Sequence, residues 1–297
     1  MKDRAVMKLL VTGGTGLIGR ALVKRMLADG HEVTVLTRQS LSSDGRVRYV
    51  QRLTDIPEGL DVVINLAGAG LADRRWNAAY KREILNSRIA LTRDLVDQLQ
   101  VKGLPKVFLS GSAIGFYGAD DSVSFTEGDN SGAGFSAQLC ANWEAQAKRA
   151  ASETTRVVTL RTGVVLDATG GAFPQMTQSF NFGVSSWMGQ GRHWLSWIHI
   201  DDMVEAIRYC IHNDEIHGAV NMTAPGAVTH RDFAEAVAGK KRTFLKMGIP
   251  AQVMRLLLGE MAEELLLTGQ RVLPSVLKDH EFSFRYPHIG PAVESLI

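Results

Sequence analysis

The chain has 297 residues, of which 45% are hydrophobic and 22% charged, which is ordinary for a soluble globular protein and enough for either one large α/β domain or a domain plus a cap. A net charge of +2 gives no support to a nucleic-acid or anionic-membrane partner, and no apolar run approaches the ~20 residues that span a bilayer. The two cysteines, Cys140 and Cys210, are too few for a disulfide framework or a metal centre, so no metal is expected. Because the first residues lack an apolar leader, we predict a cytoplasmic protein, with Met1 and Met7 both open as the natural start.

The first predicted element is an apolar strand at residues 7–12, which runs directly into a glycine turn. Two overlapping patterns, G-x-G-x-x-G and G-x-x-G-x-x-G, are formed there by Gly13, Gly14, Gly16 and Gly19. Glycines at such positions permit a sharp turn, close approach of the backbone to a pyrophosphate, and close packing of helix on strand. The amphipathic helix that begins near Leu17 would direct its free amide groups at the phosphates. The segment therefore predicts a dinucleotide-binding site.

Strands and helices then alternate through the first half of the chain. Short runs rich in Val, Ile and Leu predict further strands at residues 32–37, 47–50, 61–66, 106–110 and 157–161. The clearest helices between them are predicted at residues 78–100 and 135–152. Such alternation predicts an α/β protein with a Rossmann-type doubly wound parallel sheet, whose ligands bind at the carboxyl ends of the strands.

The end of the second predicted strand bears on the choice of cofactor. Sites for NAD usually place an acidic residue there, which accepts hydrogen bonds from the ribose 2′-hydroxyl. This chain reads Thr37-Arg38-Gln39-Ser40 at that place and has no Asp or Glu. The guanidinium of Arg38 suits a 2′-phosphate, so NADP(H) is favoured over NAD(H), while a solvated loop arginine is the alternative.

Beyond residue 161 the regular pattern gives way to glycine-rich segments. A strand is predicted at residues 194–200, a helix at 201–212 and one more strand at 218–222. Thr229 and Asp232 predict a capping box for a helix through residue 238, and helices are predicted near 250–258 and 261–267. We predict that residues 1–162 plus 193–225 form the NADP-binding domain and that residues 163–192 plus 226–297 form a small substrate-binding cap.

Several motifs together identify a family resemblance. They are the glycine turn, Asn65-Leu66-Ala67-Gly68, Ser110-Gly111-Ser112-Ala113 with Tyr117-Gly118, and Trp197-Ile198-His199-Ile200-Asp201-Asp202. With these motifs the chain resembles the extended short-chain dehydrogenase/reductase superfamily of NAD(P)-dependent epimerases and dehydratases. It is most similar to an atypical subfamily, usually called epimerase family protein, through Arg75-Trp76, Ser87-Arg88, Cys140 with Trp143-Glu144, residues 161–166 and residues 269–274. The tail from about Pro250 resembles that subfamily's C-terminal domain of unknown function.

The resemblance implies a set of contacts with NADP(H). The cofactor would be bound by Gly13, Thr15, Gly16, Leu17, Ile18, Gly19, Thr37, Arg38, Leu66, Ala67, Gly68, Arg88, Ser110, Arg161, Thr162, Gly163 and Val164. Ser112 would match the serine that hydrogen-bonds the reacting oxygen of the substrate. In sugar-nucleotide enzymes an arginine that grips the substrate diphosphate corresponds to Leu195 here, which weakens a nucleotide sugar as the substrate.

The proton donor departs from the superfamily pattern. Such enzymes use Y-x-x-x-K, but none of the five tyrosines has a lysine four residues later, and residues 134–140, where the motif should fall, hold neither residue type. Tyr117 is the predicted substitute because it follows Ser112 on the same strand-end loop, with the alternative that it only packs. A phenol with a pKa near ~10 needs a nearby cation, for which Lys81, Arg75 or Arg88 are candidates; a solvated basic face is the other interpretation.

These observations predict an NADP(H)-dependent oxidoreductase or epimerase acting on an unidentified small molecule, with Ser112 and Tyr117 as catalytic residues. The alternative is a catalytically silent NADP(H)-binding regulatory protein, linked to cell division as some names of relatives suggest. Analogy with the superfamily also leads us to expect a homodimer.

Overall fold

The computed structural model describes residues 6–297, so the chain upstream of Val6, which bears on the choice between Met1 and Met7, lies outside the described residues. The strands, in chain order, are β1 Lys8–Thr12, β2 Glu32–Leu36, β3 Val47–Val50, β4 Val62–Asn65, β5 Val107–Ala113, β6 Asp120–Phe125, β7 Arg156–Thr162, β8 Val164–Asp167, β9 Gly170–Gly171, β10 Val184–Met188, β11 Trp194–Leu195, β12 Trp197–His199, β13 Gly218–Met222, β14 Val228–Thr229, β15 Leu245–Ile249 and β16 Gln270–Val272. The α-helices are α1 Leu17–Ala28, α2 Ala78–Leu85, α3 Leu91–Lys102, α4 Phe135–Lys148, α5 Ala172–Thr177, α6 Ile200–His212, α7 His230–Ala238, α8 Ala251–Leu258, α9 Glu260–Leu265, α10 Ser275–Asp279 and α11 Ile289–Leu296. Short 3₁₀ turns lie at Leu53–Asp55, Ile114–Tyr117 and Gln178–Phe182, and a π turn lies at Asn86–Ala90.

The central sheet has the strand order β13-β7-β5-β4-β1-β2-β3, and each of its neighbouring pairs is parallel. The order reverses at β1, as in a Rossmann-type doubly wound sheet, which confirms the predicted fold. The register aligns Thr12 with Asn65, and Asn65 with Ser110, so the carboxyl ends of β1, β4 and β5 meet at one edge. This edge is where such sheets bind ligands.

The two faces of the sheet follow from the alternation of side chains along each strand. Leu9 and Val11 of β1 pack in a core with residues of α1 and α6, such as Leu22 and Ile207. Leu10, between them, packs in a second core with residues of α3 and α4. Helices therefore cover both faces, and strands buried on both sides read as the continuous apolar runs from which they were predicted.

Two predicted elements are divided in the structure. The helix predicted at residues 78–100 contains the π turn Asn86–Ala90, where the hydroxyl of Ser87 donates to the carbonyl of Ile84 and accepts the amide of Ala69. The strand predicted at residues 194–200 divides into β11 and β12, which pair with different strands. Ser196 separates them, since its hydroxyl donates to the carbonyl of Gln270 and accepts the amide of Val272.

The later segments build a cap over the carboxyl edge of the sheet. Strand β16 pairs with β6, and α9 packs through Met261 with Trp76, Tyr80, Ile84 and Leu139. The predicted capping box is present, because the Thr229 hydroxyl accepts the amide of Asp232 and the Asp232 carboxylate accepts the amide of Thr229. The exact division into two domains stays a prediction. No helix in residues 6–297 is long and apolar enough to cross a bilayer.

Candidate functional site

The glycine turn joins β1 to α1 at the point where the strand order reverses. Gly13 has a φ of 69°, and a Cβ atom there would lie 2.7 Å from the carbonyl oxygen of Leu66. A Cβ at Gly19 would lie 2.1 Å from the carbonyl oxygen of Gly13, so this close packing requires glycine. Within the described chain no side chain caps the first turn of α1, which leaves its amide groups free for an anion.

Two concave regions meet at this turn, and both are lined by Gly13, Gly16, Leu66 and Gly68. The outer pocket has a volume of about 930 Å³. It extends from the turn to the ends of β2 and β3, and to α2 with the π turn that follows it. The inner cavity has a volume of about 520 Å³ and extends to the end of β5, to α4 and to residues 264–270 of the cap. Together they form one groove with room for a dinucleotide and a small second ligand.

The outer pocket contains the residues predicted to select the cofactor. Thr37 and Arg38 both line it, and Arg38 is exposed and free to turn toward a ligand. Arg82 of α2 lines the same pocket. It was not predicted, because nothing in the surrounding sequence distinguishes it from an arginine on a solvent-exposed helix face. The outer pocket thus has two guanidinium groups in its lining, and this group suits a phosphate in charge and geometry.

The structure brings together most of the residues implied by the family resemblance. The groove is lined by Gly13, Thr15, Gly16, Leu17, Ile18, Gly19, Thr37, Arg38, Leu66, Ala67, Gly68, Arg88, Ser112, Thr162, Gly163 and Val164. Ser110, Arg161 and Tyr117 do not line it. Ser110 is buried behind the groove, where its hydroxyl accepts a hydrogen bond from Asn65 Nδ2 at 3.2 Å, so it supports the site without facing a ligand.

A buried polar network lies behind Ser112. The Ser112 hydroxyl donates to Oε1 of Glu144 at 2.8 Å. Arg161 donates to both oxygens of the same carboxylate, from Nε at 2.8 Å and from Nη2 at 3.1 Å. Burial alone would lower the pKa of Arg161, but its hydrogen bonds to Glu144 and Tyr117 raise that pKa overall. Arg161 is thus the partner of a buried carboxylate and does not line the groove, so its predicted contact with the cofactor stays a prediction that this position does not favour.

The position of Tyr117 favours the alternative that it packs over its predicted role as a proton donor. The side chain is 3% exposed, and its hydroxyl donates to Oδ1 of Asn221 at 2.7 Å while accepting from Arg161 at 2.9 Å. Its ring stacks on Phe125 with centroids 5.1 Å apart. Burial raises the pKa of Tyr117 to about 12 in spite of the neighbouring guanidinium. The packing alternative therefore describes Tyr117.

The three cations proposed beside Tyr117 lie elsewhere. The Nζ of Lys81 pairs with Glu260 at 2.7 Å and lies 4.4 Å from the centroid of the Phe135 ring. Arg75 lies beside Gly259. Arg88 lines the inner cavity, with its guanidinium 5.4 Å from the Trp143 ring, and burial lowers its pKa.

Ser136, Cys140 and Glu264 line the inner cavity and were not predicted as parts of the site, and neither was Glu144, which lies in the network behind Ser112. Ser136 and Cys140 are four residues apart on α4, as the tyrosine and lysine of Y-x-x-x-K would be, and both line the cavity. That spacing could have been used to predict that both residues belong to the site. Burial raises the pKa of Cys140 to about 11, so its thiol is protonated. Glu264 comes from α9 of the cap, and nothing in the local sequence indicates that it reaches the sheet.

Two family profiles match the chain. The profile of the NAD dependent epimerase/dehydratase family matches residues 9–222, and that of a domain of unknown function (DUF1731) matches residues 249–296. An epimerase family protein of Staphylococcus saprophyticus is 37% identical over 296 residues, which are 97% of this chain and 98% of that protein.

Two solved structures are similar to this chain in fold. The human epimerase family protein SDR39U1 (isoform 2), crystallised with NADPH, is 30% identical with a TM-score of 0.90 over 98% of this chain and 99% of that one. MoeE5 in complex with UDP-glucuronic acid and NAD is 18% identical with a TM-score of 0.77, over 97% of this chain and 96% of that one, and shows the fold alone.

Proposed function

Since the chain belongs to the NAD dependent epimerase/dehydratase family, we propose that it is an NADP(H)-dependent oxidoreductase or epimerase acting on a small molecule. One observation carries the proposal. A single groove crosses the uncapped start of α1, with Arg38 and Arg82 at one end and Ser112 at the other. The NADPH in the human relative supports the choice of cofactor.

The residues of the groove fit this cofactor. The free amides at the start of α1 would hold the pyrophosphate, and Arg38 with Arg82 would hold the 2′-phosphate. Thr162, Gly163 and Val164 line the inner cavity, in which a bound nicotinamide would supply hydride transfer to or from a substrate carbon. Ser112 lines the same cavity, so it is the residue proposed to contact the substrate's reacting group.

A second candidate function follows from the lining of the inner cavity. Among the described residues that line it there is neither a tyrosine nor a lysine, so the usual proton donor of the superfamily is missing. This observation favours a catalytically silent protein that binds NADP(H) and responds to its oxidation state.

The two candidates are separated by incubating the purified protein with a cell metabolite extract and either NADPH or NADP⁺, followed by untargeted mass spectrometry. Ser112→Ala is the control, since it removes the proposed substrate contact but not the glycine turn. A metabolite converted by the wild type alone supports the enzyme. Tight NADPH binding by fluorescence titration without any conversion would favour the silent protein, and loss of NADPH binding would contradict both.

A further inference from the structure

We propose that Ser112, Ser136 and Glu264 form an acceptor face, and that this face selects a small substrate rich in hydrogen-bond donors, such as a polyol or an amino alcohol, over a nucleoside diphosphate. The inference rests on the proposed function, because it names the substrate class of the same cavity. Each of the three residues contributes through a separate observation.

Ser136 supplies a hydroxyl that has no partner. It lies in the first turn of α4, is 9% exposed and lines the inner cavity. Its Oγ makes no hydrogen bond to any described residue. A buried polar group without a partner is costly and uncommon, so its presence at a cavity wall points to a ligand that completes it.

Glu264 supplies a carboxylate from the cap. Its oxygens accept the amides of Phe135 and Ser136, each at 3.3 Å, so the side chain caps the start of α4. Gly134, with a φ of 102°, makes room for it, because a Cβ there would lie 2.7 Å from Glu264 Oε1. Each carboxylate oxygen can accept more than one hydrogen bond, so capacity remains for a ligand in the cavity that Glu264 lines.

Ser112 also offers an acceptor to the cavity. Its proton is directed at Glu144, whose carboxylate is held by Arg161 and accepts but does not donate. Because that proton is already donated, the hydroxyl of Ser112 can serve a ligand in the cavity only as an acceptor. A substrate that meets a lone pair at Ser112 and a carboxylate at Glu264 must bring hydroxyl or ammonium groups.

The charges around the cavity argue against a diphosphate. Of the described residues that line it, Arg88 is the one permanent cation and Glu264 the one carboxylate. Arg88 lies beside Trp143 at the wall shared with Gly68, next to the glycine turn. His230, which also lines the cavity, is neutral because burial lowers its pKa to about 3. A diphosphate would thus face the carboxylate of Glu264 with little positive charge nearby to compensate. Hydroxyl groups and a single ammonium group, in contrast, can donate hydrogen bonds to that carboxylate.

The test is ligand-observed NMR on the NADPH-loaded full chain. The probes are alcohols, amines and carboxylic acids that share the same carbon skeletons, together with UDP-glucose. We expect the alcohols and amines to bind, and Ser136→Ala to weaken them about threefold to tenfold, as the loss of one or two hydrogen bonds would. The thermal midpoint of unliganded Ser136→Ala should not fall, because the variant removes a hydroxyl without a partner.

Two further variants distinguish an effect on ligand binding from an effect on the structure of the cap. Glu264→Gln should weaken the amines more than the alcohols, since it removes the negative charge and keeps one acceptor. Glu263→Gln is the matched control from the same helix, because Glu263 pairs with Arg255 and does not line the inner cavity; it should leave binding unchanged.

Tighter binding of the carboxylic acids or of UDP-glucose would overturn the proposal, and so would alcohol and amine binding that Ser136→Ala leaves intact. A wild type that binds NADPH but no alcohol or amine would overturn this inference alone. A wild type that does not bind NADPH would overturn the proposed function, and this inference with it.

Discussion

Arg38, at the residue scale, lies exposed where β2 ends and lines the outer pocket. We expect Arg38→Ala to weaken NADPH binding at least about tenfold and NADH binding much less, because a charge-assisted hydrogen bond to phosphate is worth ~1.5–3 kcal/mol. Fluorescence titration of both nucleotides measures the ratio.

Arg52→Ala is the matched control for Arg38→Ala. Arg52 is exposed, pairs with Asp55 at 2.9 Å and does not line the outer pocket, so its removal tests the general effect of one positive charge. Equal losses for NADPH and NADH in Arg38→Ala would show that Arg38 does not contact a 2′-phosphate.

Glu144 is the residue on which the network behind Ser112 depends. Its carboxylate is buried and bonded to Arg161 and Ser112, so Glu144→Gln leaves the guanidinium without its counter-charge. We expect a loss of about 3 kcal/mol in the free energy of unfolding, measured with urea.

Lys148→Ala tests the same ion cluster from its exposed side. Lys148 lies 3.9 Å from Glu144 with 63% of its side chain exposed, and we expect a change within about 0.5 kcal/mol. If Glu144→Gln were as mild as Lys148→Ala, the buried pair would not be holding Ser112 in place.

Some residues of the site can be predicted from their neighbours in the sequence, and others depend on partners far away along the chain. The glycines and Arg38 were predicted because a turn and a strand end depend on neighbours within a few positions. For Tyr117 the sequence gives its distance from Ser112 along the chain but not the direction of its ring, which stacks on Phe125. Glu144 and Glu264 act on partners 32 and 128 or more residues away, so no local pattern could assign them.

Helix α1, at the scale of elements, depends on close packing against the turn that precedes it. Replacing a helical glycine by alanine ordinarily stabilises a helix by up to about 1 kcal/mol. At Gly19 the new methyl group would lie 2.1 Å from the carbonyl oxygen of Gly13. We therefore expect Gly19→Ala to destabilise the protein by about 1–3 kcal/mol and to weaken NADPH binding, as urea unfolding and fluorescence titration would measure.

Gly290→Ala in α11 is the control, since a Cβ there meets nothing within 4 Å and the change should be neutral or stabilising. A stabilised Gly19→Ala that still binds NADPH would mean that α1 can move away from the turn without loss of the site.

The strands of the sheet were predicted more closely than the helices that cover it. A strand buried on both faces is a short apolar run with clear ends, and β3 and β13 have the predicted bounds. The helix at residues 78–100 was predicted as continuous because periodicity does not reveal one extra residue in a turn. That residue is accommodated at Asn86–Ala90, where Ser87 bonds the loop after β4.

Histidines couple the stability of the whole molecule to pH. His230 packs on His193 with ring centroids 4.2 Å apart, and burial lowers the pKa of His230 to about 3 and lowers that of His193 as well. The unfolded chain binds a proton at each below pH ~6.5, whereas the native chain excludes it from His230 until about pH 3. Stability is therefore retained above pH ~6.5 and lost as the pH falls from there toward 3.

We expect His230 alone to cost about 2 kcal/mol between pH 7 and pH 5, at ~1.4 kcal/mol for each unit of pH below the unfolded pKa. Urea unfolding at both pH values should show a smaller loss in His230→Gln than in the wild type. His217→Gln, at an exposed position, should keep the full loss. An unchanged pH dependence in His230→Gln would contradict the burial of a neutral imidazole at this site.

The cap closes the cavity late in the order of synthesis. The glycine turn, β2 and β4 precede residue 70, whereas Glu264 and the cavity residues up to 270 follow almost at the end of the chain. At ~5–20 residues per second, a ribosome would need about ten to forty seconds to go from one to the other. During that interval the nascent chain already contains the glycine turn, but the wall of the inner cavity that residues 264–270 supply has not yet been made.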